Sequence, residues 1–255
     1  MIARICSNPI YSALCELGLL FLPAIPAYIW IWPNISGQVQ ELFQIFVYLY
    51  ILAGTIYIGR RRWNWDQLGI NRKGIGLALV CGLVILAARL AIILSINWNV
   101  HPAQLTPLRL IYNVLYYFAL VGLGEELLFR GLVYRLLLDW KGVRWAIWGS
   151  SVGFILWHIF GQGPLIGLAA LLIGLLFALL RWRGGGIVGL IVVHALWDLE
   201  TILLVADSNA DILASGTLAF RNLAGIYLGT VLLFAVPLYL WLLHPRLVGW
   251  LQRSH

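Results

Sequence analysis

The sequence predicts an all-α protein, a polytopic transmembrane bundle of about eight helices, and three observations predict it. Of its 255 residues, 62% are hydrophobic and only 11% charged, and the mean hydropathy of +0.91 lies well beyond that of an ordinary soluble domain. Apolar stretches of the length that crosses a ~30 Å bilayer core, ~20 residues, recur along the chain. The basic residues between those stretches alternate, loop by loop, between many and few.

The stretches begin near Tyr11, Val39, Ile75, Leu108, Val143, Leu165, Ile187 and Leu223. The first follows Arg4 and runs through Trp32 without a small-residue cleavage site, so no removable signal peptide is expected. The seventh is the weakest, because Asp198 and Glu200 interrupt it, and Gly184, Gly185 and Gly186 supply a tight turn before it. No polar stretch is long enough to fold separately, so a single membrane domain with short loops is expected. No internal repeat, heptad pattern or low-complexity tract is evident.

Arg4, the cluster Arg60, Arg61, Arg62, Arg72 and Lys73, the group Arg135, Lys141 and Arg144, the pair Arg181 and Arg183, and Arg246 with Arg253 all fall on one side of that topology. The other side holds Arg109 and Arg221 as its cations, together with Asp207 and Asp211. The positive-inside rule then places both termini in the cytoplasm. The net charge of +7 reports membrane topology. A nucleic-acid partner is not expected, since no basic cluster sits on a soluble face with a binding motif. Cys6, Cys15 and Cys81 are scattered and odd in number, which suits small apolar filler better than a disulfide framework or a CxxC site.

In a membrane protein the informative residues are ionisable groups at hydrocarbon depth, each unfavourable by ~2.5 to 3.5 kcal/mol at a helix centre. Five places qualify: Glu16, Arg89, Glu125 with Glu126, His158, and His194 with Asp198. Adjacent glutamates diverge by ~100° on a helix, so Glu126 and Arg130 at i, i+4 can pair while Glu125 points elsewhere into the bundle. The alternative is a helix end bearing ordinary surface charges. His158 closes the run Phe154-Ile155-Leu156-Trp157-His158 and is either a satisfied structural histidine or a functional one. His194 and Asp198, again at i, i+4, share a helical face, which also suits packing or capping. Each member needs a partner inside the bundle, so the three groups are expected to converge. Glu16 and Arg89 are expected to pair between the first and third spans.

At these residues the sequence resembles the CAAX prenyl protease type 2 and bacteriocin-processing (CPBP, or Abi) intramembrane proteases, whose motifs read EExxxR, FxxxH and HxxxN/D. Glu125, Glu126 and Arg130 match the first, Phe154 and His158 the second, and His194 and Asp198 the third, in order. The resemblance covers roughly residues 110 to 205 and divides the chain into N-terminal spans (1–106), a CPBP/Abi-like catalytic core (107–206) and a C-terminal loop with the last span (207–255). It implies an intramembrane endopeptidase in which Glu125 and His158 activate a water and His194 and Asp198 stabilise the oxyanion. Glu126, Arg130 and Phe154 would support them. Its substrate would be a membrane-associated or lipid-modified protein or peptide.

Position 198 is often Asn in relatives, and an ionised Asp198 would repel an oxyanion, so it must act protonated, orient His194 or bind a metal. No cofactor is favoured. Zinc is the alternative, held by Glu125, His158 and His194 with one open position, although no HExxH helix supports it. Two other functions fit the same buried polar groups: a non-catalytic membrane scaffold or chaperone of this fold, or a transporter, for which inverted repeats are absent.

Overall fold

A computed structural model of the chain describes residues 9–95, 106–162, 164–204, 229–230, 232 and 235–243, and every regular element among them is helical. Arg4, Cys6, Asp207, Asp211, Arg221, Arg246, Arg253 and much of the last expected span lie outside the described residues. The helices are α1 (Pro9–Pro26), α2 (Gly37–Arg60), α3 (Ile75–Ser95), α4 (Pro107–Lys141), α5 (Val143–Gln162), α6 (Pro164–Gly184), α7 (Val188–Leu204) and α8 (Val236–Leu243). Four stretches among the described residues are long and apolar enough to cross a bilayer: Tyr11–Asn34, Gly37–Arg60, Ile75–Ile92 and Pro107–Lys141. Large apolar side chains such as Leu22, Phe46, Val80 and Leu115 are exposed on the outside of these helices, the surface that hydrocarbon solvates. Despite Asp198 and Glu200, α7 is one unbroken helix of 17 residues.

Local chemistry explains the irregular turns. Pro23 and Pro26 remove two backbone donors near the end of α1, and the chain continues as a π-helical turn at Ala27–Ile31 and a 3-10 turn at Trp32–Asn34. α4 opens on Thr106, whose hydroxyl accepts from the Arg109 amide at 3.2 Å, with Pro107 in the first turn. It then alternates pitch: π turns at Tyr116–Gly122 and Leu127–Val133 flank one α turn, Leu123–Glu126. Wide turns of this kind inside long helices concentrate at functional sites.

α4 is the central helix, and residues 124–132 are buried on every side. Leu127 joins a core built from Ala78, Cys81 and Ile85 of α3, Leu176, Phe177 and Leu180 of α6, and Leu190, Val193 and Trp197 of α7. Leu128, Phe129 and Leu132 join the opposite core, with Ala13, Leu17 and Leu20 of α1, Val47, Ile51 and Ile58 of α2, and Phe154 of α5.

Among the described residues, the basic loop after α2 lies at the end of the bundle where α4 and α6 finish. Trp63 donates to Asp139 at 3.0 Å and Arg181 to the Gln67 carbonyl at 3.0 Å, which ties the loop after α2 to the last turns of α4 and α6. At the other end Arg109 and Glu41 pair at 2.7 Å between the first turns of α4 and α2. The loop after α2 closes on α6 where Gly74, at φ +66°, lies against Gly184. A Cβ on Gly74 would collide with the Gly184 Cα and also strain the left-handed backbone. Gly74→Ala is therefore expected to lower stability by about 1–3 kcal/mol, read as a lower unfolding midpoint in detergent.

One expected pair is corrected. Glu16 bonds Arg62 at 2.7 Å, not Arg89, and Arg89 pairs with Glu200 at 2.9 Å while donating to Thr201 and the Trp197 carbonyl. The cause is packing order: α3 lies against α7, and α1 against α2 and the last turns of α4, so the first and third spans do not present these groups to each other.

Candidate active site

The site grows from the single α turn of α4, which sends its two glutamates apart as the sequence spacing requires. Glu126 is fully buried, and its Oε1 takes hydrogen bonds from Arg130 at 2.9 Å and from Nδ1 of His194 at 2.8 Å. Arg130, equally buried, also donates to the Gly174 carbonyl at 3.3 Å. Its guanidinium lies over the rings of Phe154 at 4.2 Å and Phe177 at 5.4 Å. Phe154 in turn contacts both imidazoles, with ring centres 4.3 Å from His158 and 5.9 Å from His194. The phenylalanine of the second motif is thus the apolar spacer between the arginine and the two histidines.

Glu125 has a different environment on each oxygen. Oε1 accepts from the Tyr48 hydroxyl at 2.7 Å and from the Trp157 indole N–H at 3.0 Å. Oε2 is buried without a hydrogen-bond partner and faces Nε2 of His194 at 3.6 Å and Nε2 of His158 at 3.9 Å. Nδ1 of His158 sits 2.9 Å from the Phe154 carbonyl, which can only accept, so Nδ1 carries the hydrogen and the Nε2 of a neutral His158 is a free lone pair. The same logic applies to His194, whose Nδ1–H is given to Glu126 and whose Nε2 lies 3.6 Å from Glu125 and 3.7 Å from Oδ2 of Asp198. Asp198 is the most open of these groups, its side chain 23% exposed.

Every sequence-derived candidate, Glu125, Glu126, Arg130, Phe154, His158, His194 and Asp198, is therefore drawn into one cluster on α4, α5 and α7. Sequence reasoning missed Tyr48 and Trp157. Trp157 had a signal, because a buried indole N–H next to His158 needs an acceptor. Tyr48 had a fainter one: Glu41, Gln44 and Tyr48 share a face of α2 at i, i+3 and i+7.

The donor chemistry of Glu125, His158 and His194 suits zinc. Ligands ~2.0 Å from a tetrahedral zinc stand about 3.3 Å apart. Here Oε2 of Glu125 is 3.6 and 3.9 Å from the two Nε2 atoms, and among the described residues no group of three His, Cys, Asp or Glu side chains is arranged to hold a metal ion.

Residues 107–199 match the family model described as Rce1-like, type II CAAX prenyl endopeptidase. No curated protein and no solved structure matches the chain. The matched stretch starts at the first residue of α4 and ends within α7, so it contains the whole glutamate–histidine cluster and leaves out Tyr48. This chain is an integral membrane protein whose residues 107–199 are similar to the Rce1-like type II CAAX prenyl endopeptidases.

Proposed function

We propose that the protein is an intramembrane endopeptidase that hydrolyses a peptide bond of a membrane-associated or lipid-modified protein, using a water activated between Glu125 and His158 without a metal. The observation that carries this reading is the facing pair of acceptors, Oε2 of Glu125 and Nε2 of His158, 3.9 Å apart. A water giving one hydrogen to each at ~2.8 Å spans acceptors about 4.4 Å apart at its own bond angle, so a small adjustment seats it. Both protons are then engaged, and the remaining lone pair points away for attack.

In the proposed reaction Glu125 takes the water proton as the oxygen bonds to the substrate carbonyl carbon, giving a tetrahedral oxyanion. His194, with Nδ1–H held by Glu126, offers the oxyanion a donor at Nε2 when it carries a second proton. Glu126, which also accepts from Arg130, is the counter-charge to that imidazolium. The proton on Glu125 passes to the departing amine as the C–N bond breaks, which restores the carboxylate.

Asp198 lies at the open side, 3.7 Å from the same Nε2. Only a protonated Asp198 could donate to an oxyanion, whereas an asparagine donates in every state. Asp198→Asn is expected to keep reporter cleavage within about threefold of wild type or raise it, and Asp198→Leu to lower kcat by roughly 10- to 100-fold.

The test is cleavage of a library of membrane-anchored reporters, prenylated CAAX peptides among them, by purified protein in liposomes with and without chelator. Cleavage that survives the chelator is the expected result. Loss of cleavage to the chelator and its return on adding zinc would move the mechanism to a metal. No cleavage across the library would leave a scaffold of this fold as the better reading.

A further inference from the structure

Tyr48 stands on a helix outside the family match, yet its hydroxyl is 2.7 Å from the carboxylate at the centre of the site. We infer that Tyr48, together with Trp157, is a positioning residue: the two fix Oε1 of Glu125 so that Oε2 is the oxygen turned to the two imidazoles. The inference rests on the proposed peptidase reading and adds α2 to the machinery.

The argument begins with the carboxylate itself. Glutamate has three rotatable bonds and two equivalent oxygens, so a buried one left to itself presents either oxygen, over a range of angles, to a neighbour. Here the oxygens are made inequivalent. Two neutral N–H and O–H donors, on α2 and α5, converge on Oε1 at 2.7 and 3.0 Å from different helices, while Oε2 has none. A rotation of the carboxylate would break two hydrogen bonds to charged oxygen, each worth about 1.5–3 kcal/mol. The free lone pairs are therefore those of Oε2, aimed at Nε2 of His158 and of His194.

The donors are themselves held. Tyr48 packs edge-on against the Trp157 ring, with centroids 6.1 Å apart, and against Tyr116, at 6.0 Å. One turn earlier on α2, Gln44 meets the Tyr116 hydroxyl at 3.4 Å, and one turn before that Glu41 pairs with Arg109. This polar stripe at 41, 44 and 48 keys α2 to α4 from the outer end of the bundle down to Glu125. A 1 Å shift in a reacting group can lower a rate ~100-fold, so the register that this stripe sets bears directly on the site.

The experiment compares wild type, Tyr48→Phe, Trp157→Phe and Tyr57→Phe in liposomes on the reporter that wild type cleaves best. Tyr48→Phe removes one donor from Oε1 and keeps the ring, and Trp157→Phe removes the other and leaves a smaller aromatic ring in place of the indole. Each is expected to lower kcat roughly 10- to 100-fold with KM within about twofold. Tyr57→Phe, which removes a hydroxyl from the exposed face of α2 and none from Glu125, is expected to leave kcat within about twofold. 3-Fluorotyrosine at position 48, which keeps the hydroxyl, should retain most of the wild-type kcat. Its fluorine resonance should shift when Glu125→Gln is added and stay in place when Asp198→Asn is added.

Equal kcat for Tyr48→Phe and wild type overturns the inference, as does a loss confined to KM. A fluorine signal indifferent to Glu125→Gln overturns it without any activity measurement. If wild type cleaves nothing while the fluorine signal does respond to Glu125→Gln, the contact exists but positions no reaction, and both this inference and the peptidase reading fall.

Discussion

Glu125→Gln is expected to lower kcat/KM for reporter cleavage by at least about 10³-fold while leaving the protein folded and monodisperse in detergent. A positioned general base contributes typically 10²–10⁴-fold, and here the same group also returns the proton to the leaving amine, so one substitution removes both transfers. The substitution is nearly isosteric. The glutamine carbonyl oxygen can occupy the Oε1 place, accepting from Tyr48 and Trp157, and the amide nitrogen then takes the Oε2 place facing the histidines. An N–H there accepts no proton and also competes for the lone pair of His158. His158→Ala, which removes one of the two acceptors that hold the water, should lose about 10²-fold, less than the glutamine variant because the base remains. Cleavage by Glu125→Gln within tenfold of wild type would mean that the water is activated elsewhere.

How much of this was legible in the sequence differs between fold and site. Helices come through clearly, because hydrocarbon forces every backbone group into internal hydrogen bonds and the apolar lengths follow from bilayer thickness. The pairing of Glu126 with Arg130 and the shared face of His194 and Asp198 also come through, because i, i+4 spacing is a local property of one helix. What spacing cannot give is which helix stands next to which. The expected pairing of Glu16 with Arg89 failed for that reason: each had a true partner, Arg62 just beyond α2 and Glu200 on α7, that only the packing of the helices brings to it. Tyr48 was hidden by the same gap. A tyrosine in an apolar span reads as interfacial or lipid-facing until α2 is laid against α4 and its hydroxyl meets Glu125. The π turns on both sides of the glutamates had no sequence signal at all, since neither Pro nor a run of polar residues marks them.

Arg130→Met is expected to be the most destabilising single change at the site, by about 3–5 kcal/mol, because it leaves the Glu126 carboxylate buried without its counter-charge. The measurement is the unfolding midpoint in detergent. Arg130 bonds Glu126 and the Gly174 carbonyl and lies over Phe154 and Phe177, so it joins α4, α5 and α6 at one point. Lysine would not replace it: a point charge cannot stack on two rings and donate in two fixed directions. The double variant Arg130→Met with Glu126→Gln separates charge from architecture. It removes both ions and keeps similar volume, so it should recover a substantial part of the lost stability. Cleavage should not return with it. Glu126 is also the partner of Nδ1 of His194, and a glutamine there no longer balances a charged imidazole. A double variant that is stable and active would show that the buried ion pair serves only to fold the bundle, and one that is stable but inactive places Glu126 between Arg130 and His194 as the group through which the fold sets the chemistry.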